Sequence, residues 1–170
     1  CVTRLPKRAT SSPSNLTPPA HRKYAMPGLE DLYREIILDH YKNPRNRGVL
    51  APPAVRSEGH NPLCGDEIEV YLDVQDGVVA DVKISGQGCS ISQSSASMMS
   101  AAVKGKKVDD VRALVSRFKN MMSIEEGETD TTVPLGDLEA LQGVVKFPVR
   151  IKCAVLAWNT LAEGLDTATA

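Results

Sequence analysis

The chain has 170 residues, the size of one domain, and its 42% hydrophobic and 24% charged content is that of a globular protein. No apolar run approaches the roughly 20 residues a membrane helix requires, which argues against a membrane protein. Twenty basic against 21 acidic side chains (net −1) and 4% aromatic residues leave neither an electrostatic footprint for nucleic acid nor a stacking platform for bases, and four cysteines are too few for a disulfide scaffold.

Residues 1–25 hold five basic side chains (Arg4, Lys7, Arg8, Arg22, Lys23), no acid and four of the 11 prolines, so they are expected to be a disordered basic tail. Residues 26–170 then carry 15 basic and 21 acidic side chains and form an acidic domain. The tail's Arg and Ser content is that of an organelle transit peptide, but Pro18-Pro19 breaks any long amphipathic helix. With Met26 standing where order begins, an extension or a start-site artefact is the expectation.

The first predicted helix is LEDLYREIILDHYK, with Leu29, Leu32, Tyr33, Ile36, Ile37 and Tyr41 at helical spacing and Asn43-Pro44 as its stop. After a Pro- and Gly-rich connection, the alternation predicts two strands. One puts Ile68, Val70, Leu72 and Val74 on one face, the other puts Val78, Ala80, Val82 and Ile84 on one face, and Gln75-Asp76-Gly77 turns between them. A strand at about 54–60 would complete a small antiparallel sheet.

From Gly88 the period becomes helical, with Ile91, Ser95, Met98 and Ala102 on one stripe and Val108, Val111, Val115, Phe118 and Met122 on a second, parted at Lys104-Gly105-Lys106. EEGETDTTVPLGD reads as a surface loop and LGDLEALQG as a short helix. The last helix opens near Pro148 and is expected to end at about Gly164. Strands followed by helices make the fold class α+β: a small antiparallel three-stranded sheet packed against several helices.

Cys64, Cys89 and Cys153 are far apart in sequence, yet each falls where structure is expected to turn: before a strand, at a helix opening, and in the first turns of the last helix. At the two helix starts the dipole favours thiolate, the form that binds metal or attacks as a nucleophile. With the Asp66 carboxylate they make a closed S3O set suited to tetrahedral zinc. Taken singly, each thiol reads equally well as a small buried hydrophobe, and the spacing is no C-x-x-C signature. Cys1 takes no role, His40 and His60 read as helix and strand or loop residues, and Met98-Met99 and Met121-Met122 read as core fillers.

LYREIILDHYKNPRNRG, NPLCGDEIEVYLDV, SGQGCSISQSSASMM and LGDLEALQGVVKFPVRIKCAVLAWNTL together resemble the SufU family, zinc-containing IscU-like proteins of iron–sulfur cluster assembly, over about residues 26–165. The resemblance implies the IscU-like α+β fold. It also implies one zinc ion on Cys64, Asp66, Cys89 and Cys153, with Cys64 accepting persulfide sulfur from a SufS-like cysteine desulfurase and passing it to a SufBCD-like cluster scaffold in the cytoplasm. On docking, a histidine of the desulfurase is implied to replace Cys64 on the metal.

IscU scaffolds carry a histidine immediately before the last cysteine, where this chain has Lys152, and lack an insertion like the one between Met122 and Phe147. Lysine is a poor ligand at neutral pH, so a scaffold for iron or an iron–sulfur cluster is the runner-up, and a plain zinc-stabilised interaction domain is the third reading. Arg150 is a candidate to steer the persulfide or a partner's acidic groups; it reads equally as a solvated charge at a helix start.

Overall fold

The computed structural model describes residues 28–124, 127 and 131–170, so the basic tail and part of the acidic loop lie outside the described residues. The elements run α1 (Leu29–Lys42), β1 (Val55–Asn61), β2 (Asp66–Gln75), β3 (Val78–Gln87), α2 (Ser90–Val103), α3 (Val108–Met121), a 3-10 helix (Gly136–Lys146) and α4 (Pro148–Ala168). The three strands form one antiparallel sheet in the order β1-β2-β3, as expected for the α+β class.

Asp76 and Gly77 both take positive φ (52° and 73°), the conformation a tight two-residue hairpin between β2 and β3 needs. On β2 the expected face holds, with Ile68, Val70 and Leu72 buried. On β3 it does not: Val79, Val82 and Ile84 are buried, while Val78 is half-buried and Ala80 exposed. The cause is a bulge. Val74 pairs with Val79 and Asp73 with Asp81, so Ala80 is an extra residue and the alternation slips by one there.

On α1 the inward stripe is Tyr33, Ile36, Ile37 and His40, whereas Leu32 and Tyr41 are 50% and 46% exposed. His40 therefore takes a core position that a hydrophobic count skips. Its Nδ1 lies 2.8 Å from Ser97 Oγ on α2 and its Nε2 3.3 Å from Asp137 Oδ2 on the 3-10 helix, tying three elements together.

α2 is buried around most of its circumference rather than along one stripe. Serine makes this feasible because each small hydroxyl can bond locally: Ser94 Oγ donates to Ser90 O (2.5 Å) and Ser95 Oγ to Ala154 O (2.6 Å). α3 buries the expected residues, and Phe118 stacks on Trp158 of α4 with ring centroids 4.3 Å apart.

The short helix expected at LGDLEALQG is an 11-residue 3-10 helix, Gly136–Lys146, with Leu135 as its cap. α4 runs past Gly164 to Ala168. Gly164 is there for closeness, not termination: a Cβ on it would sit 2.8 Å from Leu72 Cδ1 and 2.9 Å from Ser57 Oγ, so its bare backbone lets α4 lie against β1 and β2.

Candidate metal centre

Three chain segments meet at one end of the sheet. The β1–β2 hairpin reverses over Pro62–Gly65, where the N–H groups of Cys64 and Gly65 donate to Asn61 O (3.3 and 2.9 Å) and Gly65 has φ 69°. Cys64 is thus presented on an exposed turn. Asn61 and Asp66 pair across that hairpin, and Asp66, the first residue of β2, points inward and is fully buried.

Because Glu67 pairs with Gln87 in the antiparallel ladder, Asp66 lies beside the exit of β3, where Gly88 and Cys89 lead into α2. Asp66 Oδ1 accepts the Cys89 N–H at 2.8 Å, and Cys89 Sγ lies 3.6 Å from Oδ2. Cys89 also caps α2, its sulfur accepting the Ser92 N–H at 3.4 Å. Gly88 has no alternative: a Cβ there would come within 2.6 Å of Asp66 Oδ1.

Cys153 arrives from α4 and is buried. Its Sγ is 3.1 Å from Cys64 Sγ, and the ligand atoms of Cys64, Asp66 and Cys153 all lie within 4.8 Å of one another. Cys89 is not in that group and meets it at the Asp66 carboxylate. The fold therefore gathers Cys64, Asp66 and Cys153, and sets Cys89 against the Asp66 carboxylate.

The dipole argument fails for Cys153. Burial, then its contacts with Cys64 and Asp66, pushes its thiol far above the ordinary range; it sits in the second turn of α4, where the helix dipole has faded. The expectation of a helix-favoured thiolate is corrected to a thiol that needs a positive partner to ionise. A fully buried carboxylate beside a thiol of this kind suits a divalent cation, which offsets the cost of burying negative charge.

The other candidates are dispersed. Arg150 is exposed, its guanidinium 5.0 Å from the centroid of the Phe147 ring at the rim of a cleft of about 450 Å³, rather than on the sulfurs. His60 is on the solvent side of β1, 3.8 Å from Glu67, and Lys152 is exposed.

Two residues that sequence reasoning passed over shape the site. Asn61 is buried, and its Nδ2 donates to Cys64 Sγ at 3.0 Å and reaches Cys153 Sγ at 4.0 Å. Arg47 donates to Gly86 O (3.0 Å) and Gln93 Oε1 (3.3 Å), bracing the loop that delivers Cys89. Asn61 precedes a proline and reads locally as a turn residue, so the sequence carries no signal for its contact with sulfur. For Arg47 the dense Asn-Pro-Arg-Asn-Arg-Gly run is the only hint.

The NifU-like N terminal domain family matches residues 32–165. The chain belongs to this family. Among its relatives, the zinc-dependent sulfurtransferase SufU of Bacillus subtilis is 49% identical over 81% of this chain and 91% of its own length. The iron–sulfur cluster assembly scaffold protein IscU of Thermotoga maritima is 40% identical over 79% and 92%. Family members of known structure share the fold: FiSufU from Fervidobacterium islandicum AW-1, named an iron–sulfur cluster assembly scaffold protein for the SUF system, is 33% identical with a TM-score of 0.72 over 81% of this chain and 99% of that one. A NifU-like protein (N-terminal) from Brucella abortus is 28% identical, also at 0.72, over 82% and 96%. No helix among the described residues is long and apolar enough to cross a membrane.

Proposed function

We propose that this chain is a zinc-containing sulfurtransferase of iron–sulfur cluster assembly, one that accepts persulfide sulfur from a SufS-like cysteine desulfurase on Cys64 and yields it to a SufBCD-like cluster scaffold. The observation that carries the reading is the convergence of Cys64, Asp66 and Cys153 within 4.8 Å, with Cys89 against the same carboxylate. The SufU relative from Bacillus subtilis, named a zinc-dependent sulfurtransferase, supports it.

Cys64, Asp66, Cys89 and Cys153 would hold one zinc ion, whose charge would keep the thiols deprotonated at neutral pH. Asp66, a hard oxygen ligand with no nucleophilic sulfur, anchors without competing for the substrate. Cys64 and Cys89 are both exposed, but Cys89 caps α2 whereas Cys64 is carried on the turn before Gly65, so Cys64 is the sulfur a partner reaches. Its thiolate attacks the outer sulfur of the desulfurase persulfide, the S–S bond breaks, and the desulfurase cysteine leaves as thiolate. Arg150, exposed over the Phe147 ring one turn before Cys153 in α4, is suited to meet the partner's acidic groups.

The IscU relatives raise a scaffold reading. Against it stands Lys152, exposed and carrying a charge where a cluster would need a good donor. The deciding experiment combines metal analysis of the purified chain with transfer of radiolabelled persulfide sulfur from a SufS-type desulfurase. One zinc per chain and label on the Cys64 peptide are expected; iron with acid-labile sulfide and no label transfer would overturn the reading in favour of the scaffold.

A further inference from the structure

Two of the four proposed ligands touch each other directly. Cys64 Sγ and Cys153 Sγ are 3.1 Å apart, whereas two sulfurs sharing a tetrahedral zinc, with Zn–S bonds of about 2.3 Å, sit about 3.8 Å apart. To bond, these sulfurs need approach by only about an ångström.

The freedom to do so is on one side. Cys64 is exposed on a turn whose next residue is Gly65 at φ 69°, while Cys153 is buried within α4. Asn61 keeps the two together: its Oδ1 accepts the Leu63 N–H at 3.1 Å, which fixes the amide, and its Nδ2 faces both sulfurs. Cys89 has its sulfur engaged by the Ser92 N–H and by Asp66, and lies outside the 4.8 Å group that holds Cys64 and Cys153.

We infer that Cys64 and Cys153 form a redox pair: without metal, the site responds to hydrogen peroxide by closing a reversible Cys64–Cys153 disulfide, while Cys89 stays a free thiol. This regulates the site assigned under the proposed function, and rests on that reading only for its consequence. Closure removes the sulfur-accepting atom and two of the four ligand atoms together, so the oxidised chain neither takes up sulfur nor rebinds metal until it is reduced.

The chemistry balances with peroxide as sole oxidant. The Cys64 thiolate attacks one peroxide oxygen, the O–O bond breaks, and Cys64 becomes a sulfenic acid as hydroxide leaves and is protonated. The Cys153 sulfur then attacks the Cys64 sulfur; the S–S bond forms, the S–O bond breaks, and the hydroxyl departs as water with the thiol proton. Two thiols lose two electrons in all, and one peroxide becomes two waters. A dithiol reductant reopens the bond by exchange.

The test uses the full chain, stripped of metal by a chelator, treated with stoichiometric hydrogen peroxide and mapped by mass spectrometry of non-reduced peptides. The expected product is the Cys64–Cys153 bond with Cys89 still alkylatable, reversed by dithiothreitol, and formed on the order of tenfold more slowly in zinc-loaded protein, where the thiolates are engaged. Asn61→Ala should slow closure severalfold. It should change the first oxidation of Cys64, read by dimedone trapping in a Cys153→Ser background, by much less than it slows closure, a split that a general folding defect would not produce. A dominant bond from Cys64 to Cys89 or Cys1, or a stable sulfinic acid on Cys64 with Cys153 free, would overturn the inference. Since no desulfurase enters the assay, failure here leaves sulfur acceptance standing, and failure of sulfur acceptance leaves this result standing.

Discussion

The backbone N–H of Cys89 donates to Asp66 Oδ1 at 2.8 Å while the sulfur of the same residue lies 3.6 Å from Oδ2, so one carboxylate both ends the β3–α2 junction and holds a neighbouring ligand in place. Gly88 is the hinge of this arrangement, since a Cβ there would press to 2.6 Å of Oδ1. Gly88→Ala should displace the carboxylate and cost roughly 1–3 kcal/mol, the range for an overpacked site. Metal titration and thermal melts should show weaker zinc retention together with a lower Tm; unchanged affinity would mean that Asp66 is not a ligand.

Binding energy at a structural metal is also folding energy. Cys89→Ser and Cys153→Ser should therefore both lose zinc and melt several degrees lower, with the buried Cys153 variant the more affected. Elemental analysis after gel filtration checks this. Full occupancy in both variants contradicts the four-ligand assignment.

Cys64→Ala should leave a folded protein that still docks on the desulfurase but neither accepts sulfur nor stimulates that enzyme. Because Cys64 lies on an exposed turn, while Asp66 begins β2, Cys89 caps α2 and Cys153 lies within α4, it is the ligand expected to leave the metal when the partner arrives. In zinc-loaded protein, iodoacetamide should modify Cys64 quickly only when the desulfurase is present. Equal modification with and without the partner would refute ligand exchange.

On the solvent face of the sheet the Arg56 guanidinium, then the Tyr71 hydroxyl, holds the Glu69 carboxyl below the ordinary range. A carboxyl whose folded pKa lies below its unfolded value, about 4.3, favours the folded state above that value, and the contribution is lost as pH falls through the folded pKa. Arg56→Ala should lower Tm by only a degree or two at pH 7 and low salt, because the pair is solvent-screened. The difference should shrink as pH falls below that unfolded value and vanish once the carboxyl is protonated; a gap that persists in acid would mean that Arg56 stabilises by packing instead.

Removing residues 1–25 should change neither metal content, melting temperature nor sulfur acceptance, because that segment offers no apolar pattern and no proposed ligand. Side-by-side assays of the full and shortened chains decide it, and loss of desulfurase binding on truncation would assign the basic segment a role.

Local pattern alone determined the helices, the hairpin and the α+β class, because periodicity and turn residues act over a few neighbours: Asp76-Gly77 takes its positive φ wherever the strands go. The four ligand candidates were also legible, since Cys and Asp at element ends are conspicuous by type. The tertiary structure decided what depends on close approach between distant segments. The Ala80 bulge moved the core face of β3 to Val79, Gly164 proved to be a contact point rather than a stop, and His40 took a core position through Ser97 and Asp137. Burial, which no local window reports, raised the Cys153 thiol against the helix dipole. Packing likewise set Asn61 between two sulfurs that are 89 positions apart in sequence and 3.1 Å apart in space, a distance fixed by where α4 crosses the sheet.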